Sequence, residues 1–360
     1  MSSPEPAAAD DHPPGAHFLS EIRSQPEALR GLLEHAAEYE RVAAAARERG
    51  ATTVRMVGHG SSDNAASYGV YAFGLLPHWT ALRDSISLTV YYRTGLDMSG
   101  STVIGLSQSG RTPDVIEYVA EARRLGAFTV ALTNDVSSDL AAEAEAVLPL
   151  AAGPEQAVAA TKTYLNQVAA LGLLAAHAAG EGDRFASQLE VVSGLLEETI
   201  AELEPNVRRI ALPFASVGRM FVIGRGTEFA TAREIALKLL ETCRIAAEPL
   251  TATDFAHGPV AALDPLFPVW TIASDDETLP AVVDAAARAR ATGAALVASG
   301  PAAEAIADAA YVLPVPAPPT PLLSPILSVV PGQLFAGALA QARGLDPDSP
   351  VGLSKVTLAR

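Results

Sequence analysis

The chain has 360 residues, room for two domains of ordinary size rather than one core. Apolar residues make up 49% and charged residues 18%, which excludes a disordered chain and supplies a sizeable interior. A formal charge of −16 excludes the basic face that a nucleic-acid partner requires, and a single cysteine, Cys243, excludes a disulfide framework and fits a reducing compartment.

The opening MSSPEPAAADDHPPG is acidic and rich in Pro and Ala, with no apolar h-region, so residues 1–16 read as a disordered tail and not a secretory signal. Over residues 18–49 apolar side chains recur at helical spacing, which predicts one or two helices within an N-terminal segment 17–50. Beyond it the chain repeats itself. VRMVGHGS at 54 returns as MFVIGRGT at 220, a shift of 166 residues. LGA at 125 before the strand FTVAL returns as TGA at 292 before ALVA, and VLPL at 147 returns as VLPV at 312, shifts of 167 and 165. A near-constant offset across three elements means a duplicated domain, read here as residues 51–182 and 207–340. In each copy short apolar strands alternate with Ala-rich helical stretches such as 113–125 and 279–291, the pattern of an α/β fold with a parallel sheet flanked by helices. The helical stretch 183–203 bridges the copies as a linker helix within 183–206. Residues 322–342 approach the length of a membrane span, but Pro325, Pro331 and Gly332 interrupt them and a buried helix pair is expected instead. No membrane partner follows, and the expected location is cytoplasmic.

Two strand ends of the first copy are rich in Gly and hydroxyl residues: GHGSSDN at 58 and SQSGRTPD at 107. Ligands of open α/β sheets bind beyond the carboxyl ends of the strands. Glycine lets the backbone approach an anion, and a helix starting at Pro113 adds a positive dipole end. Ser62, Ser107, Ser109 and Thr112 can each donate to phosphate oxygens without adding charge, with Asp114 as ordinary dipole complementarity. Either loop alone reads equally well as a Ser/Gly turn with a helix cap; two at consecutive strand ends favour an anion site. At the matching place in the second copy, IASDDET at 272, carboxylates would repel phosphate, so only the first copy keeps the site.

On the helix REIALKLLETC at 233, Glu234, Lys238 and Glu241 share one face. Spacing alone gives an exposed Glu–Lys pair of small value, but the helix follows the strand end Gly224-Arg-Gly226, where a site belongs. His257, in DFAHGP, is by type a proton shuttle near neutrality, although a lone His beside Gly-Pro is more often structural. Lys355, flanked by apolar residues, is either solvated or a Schiff-base former. His12, His17, His35, His59, His78, His177, His257 and Cys243 show no metal-ligand spacing, and GHGSS is not a dinucleotide fingerprint; no metal or cofactor is expected. His59 lies in the first loop with a substrate contact and a structural role equally open.

These motifs resemble the sugar isomerase (SIS) domain. From about His17 the chain resembles the isomerase half of glucosamine-6-phosphate synthase and, more closely, the SIS-fold glucosamine-6-phosphate deaminases. FLSEIRSQPEAL, GHGSSDN, SQSGRTPD, GPEQAVAATKTY, GRGTEFATAREIALKLLE, EPLTATDFAHGP and the terminal LSKVTLAR carry the likeness. The resemblance implies two tandem SIS domains, each a flavodoxin-like three-layer sandwich, with a C-terminal tail, 341–360, folded over the site. It implies that Ser62, Ser107, Gln108, Ser109 and Thr112 hold a sugar phosphate. Glu241 would move a proton between C1 and C2, supported by Lys238 and Glu234, and Lys355 would help open the ring as a Schiff base. His257 would pass the ring-opening proton, supplied by the neighbouring subunit of a homodimer. Ser61, Glu234 and Glu248 match further substrate-side positions. Departures are Arg111 where the synthase has an acid, Ala160 where Ser is common, and no Ser after Lys355. No glutamine-hydrolysing domain precedes residue 17, so glutamine is not expected as the nitrogen source within this chain. The expected reaction is glucosamine 6-phosphate to fructose 6-phosphate and ammonia. Dehydration of an N-acetylamino sugar phosphate, plain aldose–ketose isomerisation, deglycation and a non-catalytic phosphosugar sensor are the alternatives.

Overall fold

The computed structural model describes residues 12–355; residues 1–11 of the expected tail and 356–360 of the terminal motif lie outside them. Three helices open the fold where periodicity predicted one or two: α1 (Ala16–Arg23), α2 (Gln25–Leu33) and α3 (Ala36–Glu48). Pro26 explains the first break, since its ring cannot continue α1 yet suits the first turn of α2. Phe18, Ile22, Leu29, Leu32, Tyr39 and Val42 face inward from the three helices and are buried.

The first sheet contains β1 (Thr53–Val57), β2 (Thr80–Arg83), β3 (Ser101–Ser107), β4 (Phe128–Thr133) and β5 (Ala146–Pro149). Helices α4 (Ser61–Leu75), α5 (Ile86–Val90), α6 (Pro113–Arg124), α7 (Asp139–Glu143) and α8 (Lys162–Ala179) connect or flank them. After the bridging α9 (Gly182–Ala211) come β6 (Arg219–Gly224), α10 (Glu228–Cys243), β7 (Ala246–Thr251), α11 (Ala252–Ala256) and β8 (Val269–Ile272). The second half closes with α12 (Leu279–Ala291), β9 (Leu296–Gly300), β10 (Tyr311–Pro314) and α13 (Ser324–Ala342). The strand orders are β2-β1-β3-β4-β5 and β10-β9-β8-β6-β7, with every pairing parallel. Read from the other edge, the second order repeats the first strand for strand, so the duplication inferred from the offsets is the architecture.

Every residue of β3 and β4 is buried, as expected for central parallel strands covered on both faces. Between β1 and β3 the chain reverses its direction of travel across the sheet, and a crevice opens at their carboxyl ends.

Two helices run longer than expected. The bridging helix continues through Pro205 to Ala211. Residues 324–342 form one helix and not a pair, with Pro331 inside it. A proline removes one helical hydrogen bond, but here the next residue offsets that: a Cβ on Gly332 would stand 2.3 Å from Ile235 Cγ1, so the Pro-Gly step lets α10 cross α13 closely. The segment Pro321–Ala342 has a mean hydropathy of 1.6, and 89% of its most apolar window is buried within the fold, which leaves no apolar face for lipid.

The halves meet along α4 and α10. Arg233 of α10 donates to Asp63 Oδ2 at 2.7 Å and to its carbonyl at 3.1 Å, and Arg83 holds the other side of that carboxylate. Asn64 Nδ2 donates to Glu234 Oε2 at 2.8 Å. This seam carries a helix of the second half to the mouth of the first.

Candidate active site

A cleft of about 490 Å³ lies at the carboxyl ends of β1 and β3. Its floor is the pair of hydroxyl-rich loops. Gly58 is needed there, because a Cβ would meet Ser62 Cβ at 2.9 Å and the Leu106 carbonyl at 3.0 Å. In the second loop Ser107 Oγ lies 3.1 Å from Thr112 Oγ1 and accepts from the Gly110 amide at 3.1 Å. Gln167 Nε2 of α8 donates to Ser62 Oγ at 2.9 Å, which leaves the Ser62 proton for a ligand. Ser62, Ser107, Gln108, Ser109 and Thr112, all expected in the cradle, line this one cavity. Arg111 does not; it is exposed and points to Asp135 at 3.6 Å, so it adds no cation to the cradle.

The second half supplies the facing wall. Glu241 lines the cleft, 22% exposed, with its Oε2 2.7 Å from Lys238 Nζ. Behind it Lys238 and Glu234 are 1% and 0% exposed and lie 3.3 Å apart. The exposed pair that spacing alone suggested is buried, because α4 of the first half covers that face. Burial alone would lower the Lys238 pKa, but the two carboxylates outweigh it and raise it above the usual lysine range. Lys238 is therefore a fixed ammonium and not a base. Glu234 is pushed up by burial, against the pull of Lys238, and accepts from Ser61 Oγ at 2.9 Å and from Asn64. The Ser61 proton is thus committed behind the wall, although Ser61 itself borders the cleft.

The C-terminal segment expected over the site forms its roof, but sequence reasoning missed the residue that anchors it, Glu155. Leu353, Ser354 and Lys355 cross the cleft, and Lys355 Nζ donates to Glu155 Oε2 at 2.8 Å and to the Ala157 carbonyl at 2.6 Å. Glu155 accepts further from the amides of Thr161 and Thr163 at 3.0 and 3.1 Å and from Thr163 Oγ1 at 2.7 Å. Burial would raise its pKa, but Lys355 and these donors outweigh that and hold it below the ordinary range. Glu155 stands in GPEQAVAATKTY, a motif that carried the likeness, yet a single Glu in a loop offers no period to single it out. The nearest signal was the pair of threonines that follows it. The C-terminal segment is pinned beside this loop, with Val158 N donating to the Asp348 carbonyl at 2.9 Å. The Asp348 carboxylate in turn accepts from the amides of His17 and Phe18 at the start of α1.

His257 and Glu248 are not in the cleft of their own chain. His257 is exposed at the end of α11, and Glu248 is exposed on β7, at the edge of the second sheet.

The chemistry on offer is a neutral anion cradle on one lobe facing a carboxylate–ammonium pair on the other, under a lysine-bearing roof. That is the layout of a two-lobed protein with an anion-binding cleft between its halves. Residues 49–177 and 214–343 match the SIS domain, and the chain belongs to that family. It is 36% identical over 373 residues to the isomerizing glutamine–fructose-6-phosphate aminotransferase of Aeropyrum pernix, covering 98% of this chain and 58% of that protein. The chain thus spans less than two thirds of that relative's length. A candidate phosphosugar isomerase from Silicibacter pomeroyi has a structure similar to this one, with a TM-score of 0.83 at 32% identity over 92% of this chain and 99% of that one. The C-terminal domain of glucosamine-fructose-6-phosphate aminotransferase from Francisella tularensis shares the fold, with a TM-score of 0.85 at 24% identity over 96% and 100% of the two chains.

Proposed function

We propose that the chain is an aldose–ketose enzyme for an amino-sugar 6-phosphate, converting glucosamine 6-phosphate and water to fructose 6-phosphate and ammonia. The observation that carries this reading is the opposition of Glu241, on the second lobe, to the hydroxyl cradle of the first across one cleft. A phosphate gripped by Ser62, Ser107, Ser109 and Thr112 leaves the far end of an open six-carbon sugar facing Glu241. Glu241 takes the C2 proton of the opened aldehyde and returns it to C1 while O1 gains a proton and the amine nitrogen gives one up, which leaves an imine at C2; water adds there, ammonia departs and the C2 carbonyl forms. Lys238 fixes the Glu241 carboxylate and Glu234 fixes Lys238, so both position the base. Lys355 stands over the same space and can meet the open-chain carbonyl once it leaves Glu155. His257 can serve a cleft only from a second copy of the chain, so ring opening by His257 makes the enzyme a homodimer.

The test is an assay of purified protein with glucosamine 6-phosphate and its N-acetyl form, reading ammonia and fructose 6-phosphate. Ammonia from the free amine alone supports deamination, and an unsaturated product from the acetylated sugar would favour dehydration instead. Glu241→Gln is expected to lower kcat about 10²–10⁴-fold while phosphosugar binding persists. Undiminished turnover removes Glu241 from the chemistry, and absence of turnover on any phosphosugar supports a sensor.

A further inference from the structure

One ionisable pair in the cleft takes no part in the steps above. His59, in the loop after β1, lines the cleft with Asp114, from the first turn of α6. His59 Nε2 lies 2.8 Å from Asp114 Oδ2. Asp114 is only 7% exposed, and its Oδ1 is buried with no hydrogen-bond partner among the described residues. The His59 side chain is 57% exposed, and its Nδ1 has no partner among the described residues either.

Asp114 opposes an anion in the hydroxyl cradle. Thr112 and the first turn of α6 form one side of the cradle, and Asp114 stands in that same turn. A phosphate dianion docking there is repelled by the carboxylate of Asp114, which lines the same cleft. Among the described residues that line the cleft, only His59 and Lys355 can be cations, against Asp114, Glu155 and Glu241. Lys355 is engaged by Glu155 and the Ala157 carbonyl. His59 is the group left to compensate Asp114. As an imidazolium it donates from Nε2 to Asp114 and keeps a second N–H on Nδ1 for the incoming anion.

We propose that His59, oriented by Asp114, is a phosphate-binding residue that takes up a proton as the sugar phosphate docks. The proposal rests on the reading that the cleft accepts a phosphosugar. It adds a charge-assisted contact to a cradle otherwise built of neutral hydroxyls and amides. The ionisable groups around His59 are Asp114 from α6, Glu241 from α10, and Glu155 with Lys355 from the roof. Asp63, further along α4, is already paired with Arg83 and Arg233.

The experiment is calorimetric titration of the full chain with glucitol 6-phosphate, which lacks a carbonyl and cannot turn over, in two buffers of different ionisation heat near pH 7.5. The wild type is expected to take up a fraction of a proton per site. His59→Gln should bind about tenfold more weakly, in line with loss of a charge-assisted bond, and show less proton uptake. Asp114→Asn should lose the same proton uptake with His59 still present, an effect that a merely structural histidine would not produce. The free phosphate ionises identically in every titration, and repeating the titrations with glucitol 6-sulfate, whose charge is constant, removes the bound phosphate's own ionisation from the comparison. As a second measurement on the wild type alone, affinity for glucitol 6-sulfate, whose charge is constant, should fall as pH rises between about 5 and 8. Equal affinity and proton count in wild type and His59→Gln would overturn the inference and leave the phosphosugar reading standing. If the wild type fails to bind glucitol 6-phosphate at all, both fall together.

Discussion

Glu155 and Lys355 show what single residues contribute. A carboxylate with no exposed surface holds a lysine 200 positions away, and through it the roof of the cleft. Glu155→Gln keeps an acceptor for the Thr161 and Thr163 amides but loses the ion pair. The C-terminal segment should then loosen, read as faster trypsin cleavage after Lys355, with a stability loss of about 1–3 kcal/mol. Cleavage at the wild-type rate would mean that Asp348 and the Val158 amide hold the segment unaided. The hydroxyl cradle was legible from sequence because Ser and Gly beyond apolar strand ends carry their own chemistry. Glu155 was not, since its partner arrives from the far end of the chain. The burial of Lys238 and Glu234 was equally hidden, because helical spacing gives the face and not what covers it.

At the level of elements, the turn from β3 into α6 is the most constrained piece of backbone in the site. Gly110 has a φ of +63°, and a Cβ there would fall 1.9 Å from Ser138 Oγ. Gly110→Ala is expected to cost about 1–3 kcal/mol of stability through strain alone and to move the Ser107–Thr112 pair. A KM rise with little change in kcat, together with a lowered Tm, is the expected signature; an unchanged KM would mean that the cradle tolerates a shifted turn. Strands and most helices were readable here because alternation of short apolar runs with amphipathic stretches survives without context. α13 was not, because Pro331 reads as a break unless the closeness of Ile235 is known. The breaks between α1, α2 and α3 depended likewise on weighing Pro26 against a continuous apolar period.

Across the whole molecule the repeat offsets revealed two equivalent halves, yet not how α10 of one would lie on α4 of the other. The N-terminal helices take part as well. Glu21 of α1 accepts from the amides of Gln156 and Ala157, beside the Glu155 anchor. Burial lifts its carboxyl from 4.5 to about 7, with the nearby Glu155 adding to the rise while the two amides and Lys355 oppose it. The folded protein therefore keeps a proton that the unfolded chain releases near 4.5. Its contribution to stability is complete below that value and is lost as pH rises through about 7. Glu21→Gln, which cannot ionise, should flatten that loss, so the Tm of the variant relative to wild type should climb between about pH 5 and 8. A constant difference across that range would show that Glu21 does not titrate there.

The seam of Arg233, Asp63, Asn64 and Glu234 fixes the separation of the two lobes, since sliding one past the other would break the half-buried Arg233–Asp63 pair and take Asn64 from the buried Glu234. The pocket consequently works as a ruler. If the proposed sugar phosphate is tethered at one end, the carbon presented to Glu241 is set by the number of bonds from the tether, so a pentose phosphate is expected to turn over more slowly than a hexose phosphate, read as kcat/KM on the two. Under the proposed function, selectivity for backbone length follows from the fixed separation of the lobes.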